Sequence, residues 1–347
     1  MILKIQDDIP LLSSLVFDNK SFTDFRCSIY NDKDLLCDLI KSLNDLPYKT
    51  FYFDAFHEVI NFRMFEKNGL LECIKTNFKK ELIFVDNNIA NGYVPANIKY
   101  ISNPYFLGIN VDGERKVRKR KLGKHFLCLN YHERPHREEM YRFFYDNDLF
   151  KKSYFSFKPW DNTHPYNMKL DSEDITEFET FQSTQKPLFE RYEYKTLDEH
   201  EKSFCSIVTE TFFDKSSIQD YNNVTFITEK VEKCISAGQP FIVVGTPGYL
   251  KKLKELGFKT FDKWWDESYD EESDDIKRLN KIKNVIIELS KKSLSDLETI
   301  YTEMIKVLKT NQRLNRKWNE INKTKCSQHF SDSTCNVKQI EYEYRNK

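Results

Sequence analysis

Residues 203–248 read SFCSIVTETFFDKSSIQDYNNVTFITEKVEKCISAGQPFIVVGTPG, and this stretch decides the fold. Two apolar runs in it, 204–208 and 240–244, predict buried β-strands. Between them Thr228 is suited to cap the start of a helix, because its hydroxyl can accept from an unpaired backbone N–H. Gly238 is suited to end that helix in the left-handed conformation. The stretch therefore predicts a strand–helix–strand unit.

Glu229 and Lys230 follow Thr228, at the amino end of the predicted helix. Helix N-termini in α/β folds are favourable places for anionic ligands. A carboxylate can accept from both hydroxyls of a ribose, and an ammonium group can neutralise a diphosphate. The pair therefore predicts a nucleotide-sugar site.

The composition argues against several classes of function. Lys+Arg and Asp+Glu both number 54, so the formal net charge is zero, and a whole-molecule field that attracts nucleic acid or membrane is not expected. No run approaches the roughly 20 apolar residues of a membrane helix, and the start of the chain lacks a signal-peptide pattern. We therefore expect a cytoplasmic protein with no membrane partner. The eight cysteines form no CxxC pair, which is typical of buried thiols in a reducing compartment.

Strand-like and helix-like segments alternate in the N-terminal half, which predicts an α/β fold with a parallel sheet covered by helices. The expected strands of this half are 50–53, 82–85, 98–101 and 126–129. A chain of 347 residues is long for one core, and the Pro-, Asn- and Asp-rich segment 157–171 indicates a linker. The predicted organisation is an N-terminal Rossmann-like acceptor domain (1–156), a C-terminal nucleotide-sugar-binding domain with terminal helices (157–312) and a polar extension (313–347).

A second motif, CLNYHERPHREEMYRFFYDNDLF, begins at Cys128, near the end of one of these strands. Pro135 favours a helix start, because the first turn needs no backbone N–H from that residue. Arg137 then lies in the first turn of the helix, and arginine binds phosphate bidentately. Arg137 is therefore a candidate phosphate ligand, although a surface ion pair with Glu133 or Glu138 explains it as well.

Two charged segments give weaker evidence of function. Residues 114–124 read ERKVRKRKLGK, and a polyanionic acceptor such as DNA would bind such a run. A solvated loop is the simpler explanation, because no interleaved aromatic residues provide a stacking surface. The candidate contacts are Arg118, Lys119, Arg120 and Lys121. The acidic segment 264–275 is compatible with a divalent metal, but it has neither histidine nor a fixed ligand spacing. We therefore expect no obligatory metal cofactor.

Together the two motifs resemble the donor-binding signature of α1,3-fucosyltransferases and their virus- and phage-encoded relatives. In that family a segment ending in Phe-Glu-Asn precedes a Thr-Glu-Lys helix, then Ala-Gly and a strand that begins with proline. Thr228-Glu229-Lys230, Ala237-Gly238 and Pro240 match this pattern. Glu210 falls at the family's first glutamate, within TET rather than FEN, and this departure leaves the identity of the sugar open. LNYHERPHR, which ends at Arg137, resembles the family's upstream segment.

The resemblance implies a GT-B fold, in which two Rossmann-like domains face each other across a cleft. It implies a hexosyl- or pentosyltransferase that moves a sugar from a GDP- or UDP-sugar to a hydroxyl of a glycan, with inversion and without an obligatory metal. Glu229 would bind the ribose, with Thr228 and Glu210 also on the donor side. Lys230 and Arg137 would reach the diphosphate from opposite sides of the cleft. A virus-encoded enzyme would act in the host cytoplasm.

An inverting transfer needs a carboxylate base near the acceptor hydroxyl. Asp54, Glu58 and Asp86 are candidates, because they sit at or just past the carboxyl ends of predicted strands. Two other functions stay open at the level of sequence. One is a phage DNA-modifying glycosyltransferase that acts on hydroxymethylated bases, with the basic run as the DNA contact. The other is a noncatalytic nucleotide-binding module.

Overall fold

The structure is a computed structural model that describes residues 2–5, 44, 50–55, 66, 69–86, 99–102, 107–108, 113–130, 134–157, 198–213 and 225–329, with only the backbone described for several of the N-terminal strands. The chain divides into two compact units. Unit 1 comprises Met1–Tyr105, Ile218–Phe226 and Asn319–Lys347, and unit 2 comprises Phe106–Ser217 and Ile227–Trp318.

Unit 1 contains a four-stranded sheet in which the strands follow one another in chain order. Its elements are β1 (Ile2–Ile5), β2 (Thr50–Ala55), α1 (Leu70–Asn77), β3 (Glu81–Asp86) and β4 (Lys99–Ser102). Strand β1 pairs with β2 in the antiparallel sense, whereas the β2–β3 and β3–β4 pairs are parallel. The expected parallel sheet is therefore present here with an antiparallel edge strand.

Unit 2 contains a second four-stranded sheet, and every pair in it is parallel. Its strands are β5 (Lys124–Leu129), β6 (Ser153–Ser156), β7 (Ser203–Thr209) and β8 (Phe241–Val244). Their order across the sheet is β6-β5-β7-β8, which is compatible with a Rossmann-like, doubly wound sheet. All residues of β7 and β8 are buried, as expected for a parallel sheet that is covered on both faces. The predicted α/β class is confirmed.

Helices connect and cover these strands. They are α2 (Pro135–Asp146), α3 (Asp198–Lys202), α4 (Glu229–Ala237), α5 (Tyr249–Glu255), α6 (Asp275–Ser290) and α7 (Leu294–His329). Helix α2 packs through Phe144, whose ring contacts those of Phe126 and Phe155 at centroid distances of 6.3 and 4.9 Å. Aromatic side chains thus form much of the contact between α2 and strands β5 and β6.

Helix α4 begins and ends where its sequence predicts. The Thr228 hydroxyl accepts from the backbone N–H of Lys230 at 3.3 Å. Gly238 ends the helix with φ 61° and ψ 41°, a left-handed conformation that glycine adopts without the steric cost of a Cβ. The strand–helix–strand unit expected from residues 203–248 is therefore present as β7, α4 and β8.

Three features differ from the sequence-based expectations. The sequence Lys-Thr-Phe at 259–261 predicts a short edge strand, but these residues have no regular structure; Glu267 accepts from the N–H of Phe261 at 2.7 Å. Helix α7 runs to His329, well beyond the expected end at residue 312. Cys73 takes part in a disulfide bond, so the expectation of thiols only is wrong for that residue. Cys128, Cys205 and Cys234 are free and buried.

Within the described residues, no helix combines the length and apolarity needed to cross a bilayer.

Candidate functional site

Strand order reverses between β5 and β7 in the sheet of unit 2. The connection from β5 leads to β6 on one side, whereas β7 and β8 lie on the other side. In open α/β sheets, ligands bind beyond the carboxyl ends of the strands at such a switch point. The edge formed by the ends of β5 and β7 and by the start of α4 is called the switch-point edge below. It is the candidate functional site.

Asn130 and Thr209 tie the strand ends at this edge together. The Thr209 hydroxyl donates to Asn130 Oδ1, and Asn130 Nδ2 donates to the carbonyl of Ser156 at 3.2 Å. These contacts link β5, β6 and β7 through buried side chains. The edge is therefore rigid, because buried polar groups whose hydrogen bonds are made within the protein resist rearrangement.

Arg137 lies in the first turn of α2, as the position of Pro135 predicts, and its side chain is only 4% exposed. Its Nη2 donates to the carbonyls of Thr209 and Glu210, at 3.1 and 3.4 Å. The neighbouring His136 donates from Nε2 to the Glu210 carbonyl at 2.9 Å. Both side chains therefore hold the carboxyl end of β7. The structure places Arg137 in the same unit as Glu229, rather than in an opposing domain.

Glu210 follows β7 directly, and its carboxylate is buried. It accepts from the Thr228 hydroxyl at 2.7 Å and from the Tyr249 hydroxyl at 2.6 Å. It also accepts from the backbone N–H of Thr211 at 3.3 Å. These contacts fasten the start of α4 to the end of β7. Glu210 therefore shapes the switch-point edge from inside the protein.

Glu229 and Lys230 occupy the first turn of α4. Their side chains are 15% and 16% exposed, and Lys230 Nζ lies 3.3 Å from Glu229 Oε1. Burial disfavours ionisation of Glu229, but the charges of Lys230 and Lys233 outweigh it and hold the pKa of Glu229 below its ordinary value. Glu229 is therefore a carboxylate at neutral pH. It can accept from ligand hydroxyl groups.

Lys233 lies one turn further along α4 and is buried. Burial lowers its pKa, although the charge of Glu229 opposes this effect. Lys233 also interacts electrostatically with the buried Glu232. Of the charged side chains around this edge, Glu229 and Lys230 are the more exposed ones.

A small cavity lies between the sheet and α4. Leu127 and Leu129 of β5, Thr209 of β7, and Lys230 and Lys233 are among the residues that line it. Its volume is about 30 Å³, which is room for one or two water molecules. A nucleotide is much larger than this cavity.

The basic run lies at the other end of α4. The N–H of Arg115 donates to the carbonyl of Ser236 at 2.9 Å, which places Arg115 about 13 Å, the length of a nine-residue helix, from Glu229. Arg118, Lys119 and Lys121 are exposed. Arg120 instead lies over the Tyr301 ring, with Cζ 3.9 Å from the ring centroid.

The candidate bases belong to unit 1. Asp54 and Asp86 lie at the carboxyl ends of the paired strands β2 and β3, where Ala55 is the register partner of Asp86. Glu58 lies outside the described residues. The backbone places Asp54 and Asp86 at the ends of strands, as the sequence predicts.

The acidic segment 264–275 serves local structure in two places. Asp270 accepts from the backbone N–H groups of Leu250 and Lys251 at 2.8 and 2.9 Å, and thereby caps α5. Glu267 accepts from the Thr260 hydroxyl at 2.6 Å. Burial raises the pKa of both carboxyl groups. In the described part of the chain, no group of three or more His, Cys, Asp or Glu residues is arranged to hold a metal ion.

Sequence reasoning missed Tyr249, Asn130 and Lys233. Asn130 comes directly after β5, and Tyr249 follows β8 by a few residues. Since the carboxyl ends of parallel strands meet at one edge, a search of the residues that follow each strand would have found both. Lys233 was detectable as the residue one helical turn after Lys230.

No protein-family model and no curated protein gives a significant match to this chain.

Proposed function

We propose that the chain is an inverting glycosyltransferase that uses a nucleotide-sugar donor, of the type found in the α1,3-fucosyltransferase-like enzymes with a GT-B fold. The observation that carries the proposal is the Glu229–Lys230 pair. It is partly exposed on the first turn of α4, and it lies at the switch-point edge of a parallel sheet. A carboxylate and an ammonium group at such a place match a ribose and a diphosphate.

Glu229 has the role of holding the donor ribose. Its ionised carboxylate accepts hydrogen bonds only, so it pairs with hydroxyl groups and repels phosphate. The backbone N–H groups of the first turn of α4, at the positive end of the helix dipole, lie beside it. A ribose against Glu229 therefore leaves its phosphates next to this turn and next to Lys230.

Lys230 has the role of stabilising the leaving diphosphate. Negative charge builds on that group as the sugar–phosphate bond breaks, and a fixed cation stabilises the developing charge. Arg137 adds a second positive charge beneath the edge. For direct contact with phosphate, Arg137 would exchange its bonds to the Thr209 and Glu210 carbonyls for bonds to phosphate oxygens.

The acceptor hydroxyl requires a base. In the proposed GT-B arrangement that base comes from the N-terminal domain, and Asp54, Glu58 and Asp86 remain the candidates. The transfer needs no metal in this scheme, because cationic side chains face the leaving group. The proposed acceptor is a glycan, since the basic run contacts the end of α4 opposite to Glu229.

Donor turnover tests the proposal. Purified protein is incubated with GDP- and UDP-sugars and a panel of oligosaccharides, and the released nucleoside diphosphate is measured. We expect turnover by the wild type and a roughly 100-fold lower kcat for Lys230→Met, since the charge it supplies is needed in the transition state. Lys252→Met is the matched control, because Lys252 also pairs with a neighbouring glutamate, Glu255, at 3.0 Å.

Three results would contradict the proposal in whole or in part. Binding of a nucleotide-sugar without any turnover would make the protein a nucleotide-binding module. Equal turnover by Lys230→Met and Lys252→Met would remove Lys230 from the chemistry. Sugar transfer to hydroxymethylated DNA but not to any oligosaccharide would replace the proposed acceptor.

A further inference from the structure

A chain of hydrogen bonds runs from Tyr249 to Lys230 through the buried interior of unit 2. The Tyr249 hydroxyl donates to Glu210 Oε1 at 2.6 Å. The Thr228 hydroxyl donates to Glu210 Oε2 at 2.7 Å, and Lys230 Nζ donates to the Thr228 hydroxyl oxygen at 3.0 Å. Tyr249, Glu210 and Thr228 are all almost fully buried. This series of hydrogen bonds ends at Lys230, which stabilises the leaving diphosphate in the proposed function.

The direction of each bond follows from the chemistry of its groups. The hydroxyls of Tyr249 and Thr228 both donate to carboxyl oxygens of Glu210. The Thr228 proton is therefore committed to Glu210, and its lone pairs are left for the N–H of Lys230 and for Lys230 Nζ. Burial raises the pKa of Tyr249 well above its ordinary value, so its hydroxyl keeps its proton as the donor.

The ammonium group of Lys230 is held by these contacts. It has three N–H bonds; one points to Thr228 at 3.0 Å and one to Glu229 at 3.3 Å. Glu210 Oε2 lies 3.7 Å from Nζ as a longer ion-pair partner. A ligand oxygen would therefore compete with Glu210 for the third N–H bond.

We infer that Tyr249 and Glu210 are a positioning pair, which holds the Lys230 ammonium group where it meets the phosphates of a nucleoside diphosphate. The catalytic consequence of this inference rests on the proposed function; the positioning itself does not. Without the Tyr249 hydroxyl, Glu210 loses its shortest hydrogen bond and keeps those from Thr228 and Thr211. Its negative charge is then less satisfied and attracts Lys230 inward. Neither Tyr249 nor Glu210 touches the ligand in this scheme.

Tyr301, which belongs to α7 and contacts the carboxyl end of α4, provides a matched control. Its hydroxyl is also buried, and it donates to the carbonyl of Gly238 at 2.9 Å. Tyr249→Phe and Tyr301→Phe therefore each remove one buried tyrosine hydroxyl from the surroundings of α4. A purely structural effect of losing such a bond appears in both variants, whereas an effect on Lys230 appears in Tyr249→Phe alone.

The test has two readouts, one of which needs no ligand. The protein is labelled with ¹³C,¹⁵N-lysine, and the NMR signal of the Lys230 Cε–Nζ group is assigned with Lys230→Arg. GDP and UDP affinities are measured by calorimetry. We expect Tyr249→Phe to shift the Lys230 signal and to weaken nucleotide binding by about tenfold, the loss typical of one buried bond to a charged group. Tyr301→Phe should change neither.

Three other outcomes are informative. An unchanged Lys230 signal and unchanged affinity in Tyr249→Phe would overturn the inference. A shifted signal in a protein whose wild type binds neither GDP nor UDP would support the positioning pair and overturn the proposed function. If Tyr249→Phe fails to fold, Thr228→Val and Thr228→Ser test the same chain: Thr228→Ser keeps the hydroxyl and should retain the wild-type signal, and Thr228→Val should not.

Discussion

At the scale of single residues, two glutamates close to one helix start have different environments. Glu210 accepts from two hydroxyls and two backbone N–H groups inside the protein, whereas Glu229 is partly exposed beside Lys230. A carboxylate already satisfied by protein donors has little capacity left for a ligand. Glu229 is therefore the carboxylate that is available to a ribose, and Glu210 is the one that builds the edge.

The lowered pKa of Glu229 predicts a specific pH dependence of stability. Because its pKa in the folded protein lies below its ordinary value of 4.5, its ionised form stabilises the fold. This contribution is fully present above about pH 4.5 and is lost as the pH falls through the lower folded-state value. We expect Glu229→Gln to lose less stability than the wild type when urea unfolding is followed from pH 6 to pH 3.

Glu255→Gln is the control for this measurement, since Glu255 is half-exposed in an ion pair with Lys252 and such pairs contribute little. A wild type and a Glu229→Gln variant with parallel pH profiles would show that Lys230 and Lys233 do not stabilise the ionised form.

At the scale of elements, helix α4 combines parts that sequence predicts with parts that it does not. Thr228 and Gly238 were identifiable because capping is local chemistry, set by a hydroxyl and by a missing Cβ. The partners of the helix start were not, because Glu210 and Tyr249 lie 18 and 39 residues from their contacts Thr228 and Glu210. Residues 259–261 do not form the expected strand for a similar reason: Glu267, which is not adjacent in sequence, accepts from the N–H of Phe261.

Two glycines in left-handed conformations allow the free-energy cost of backbone strain to be distinguished from the cost of a steric overlap. Gly238 and Gly248 have φ of 61° and 80°, so alanine at either position costs about 1–2 kcal/mol of backbone strain. A Cβ on Gly238 would overlap Val117 Cγ2, whereas nothing lies within 4 Å of a Cβ on Gly248. We expect Gly238→Ala to lower the free energy of unfolding by about 1–3 kcal/mol more than Gly248→Ala.

Urea unfolding of both variants measures this difference. In a Val117→Ala background the two glycine substitutions should cost nearly the same, because the overlapping methyl group is gone. If the extra cost of Gly238→Ala persists there, the contact between the basic run and the end of α4 is not its source.

At the scale of the whole molecule, the sequence predicts the α/β class but not which strands share a sheet. The expected boundary after residue 156 follows the polar composition of the next segment. In the structure, β5 and β6 belong to the same sheet as β7 and β8, and unit 2 includes Phe106–Ser217. Composition cannot distinguish a linker from a long crossover, because both are polar and rich in turn residues. The pairing of β5 with β7 brings Arg137 to the same edge as Glu229.

The central claim is that the switch-point edge binds a nucleotide-sugar through Glu229. Calorimetric titration of GDP- and UDP-sugars into the wild type, Glu229→Gln and Glu255→Gln tests it most directly. We predict that the wild type and Glu255→Gln bind one of these donors equally, and that Glu229→Gln binds it at least tenfold more weakly, as expected for loss of a charge-assisted contact. Equal affinity of Glu229→Gln and the wild type, or no binding by the wild type, would contradict the claim.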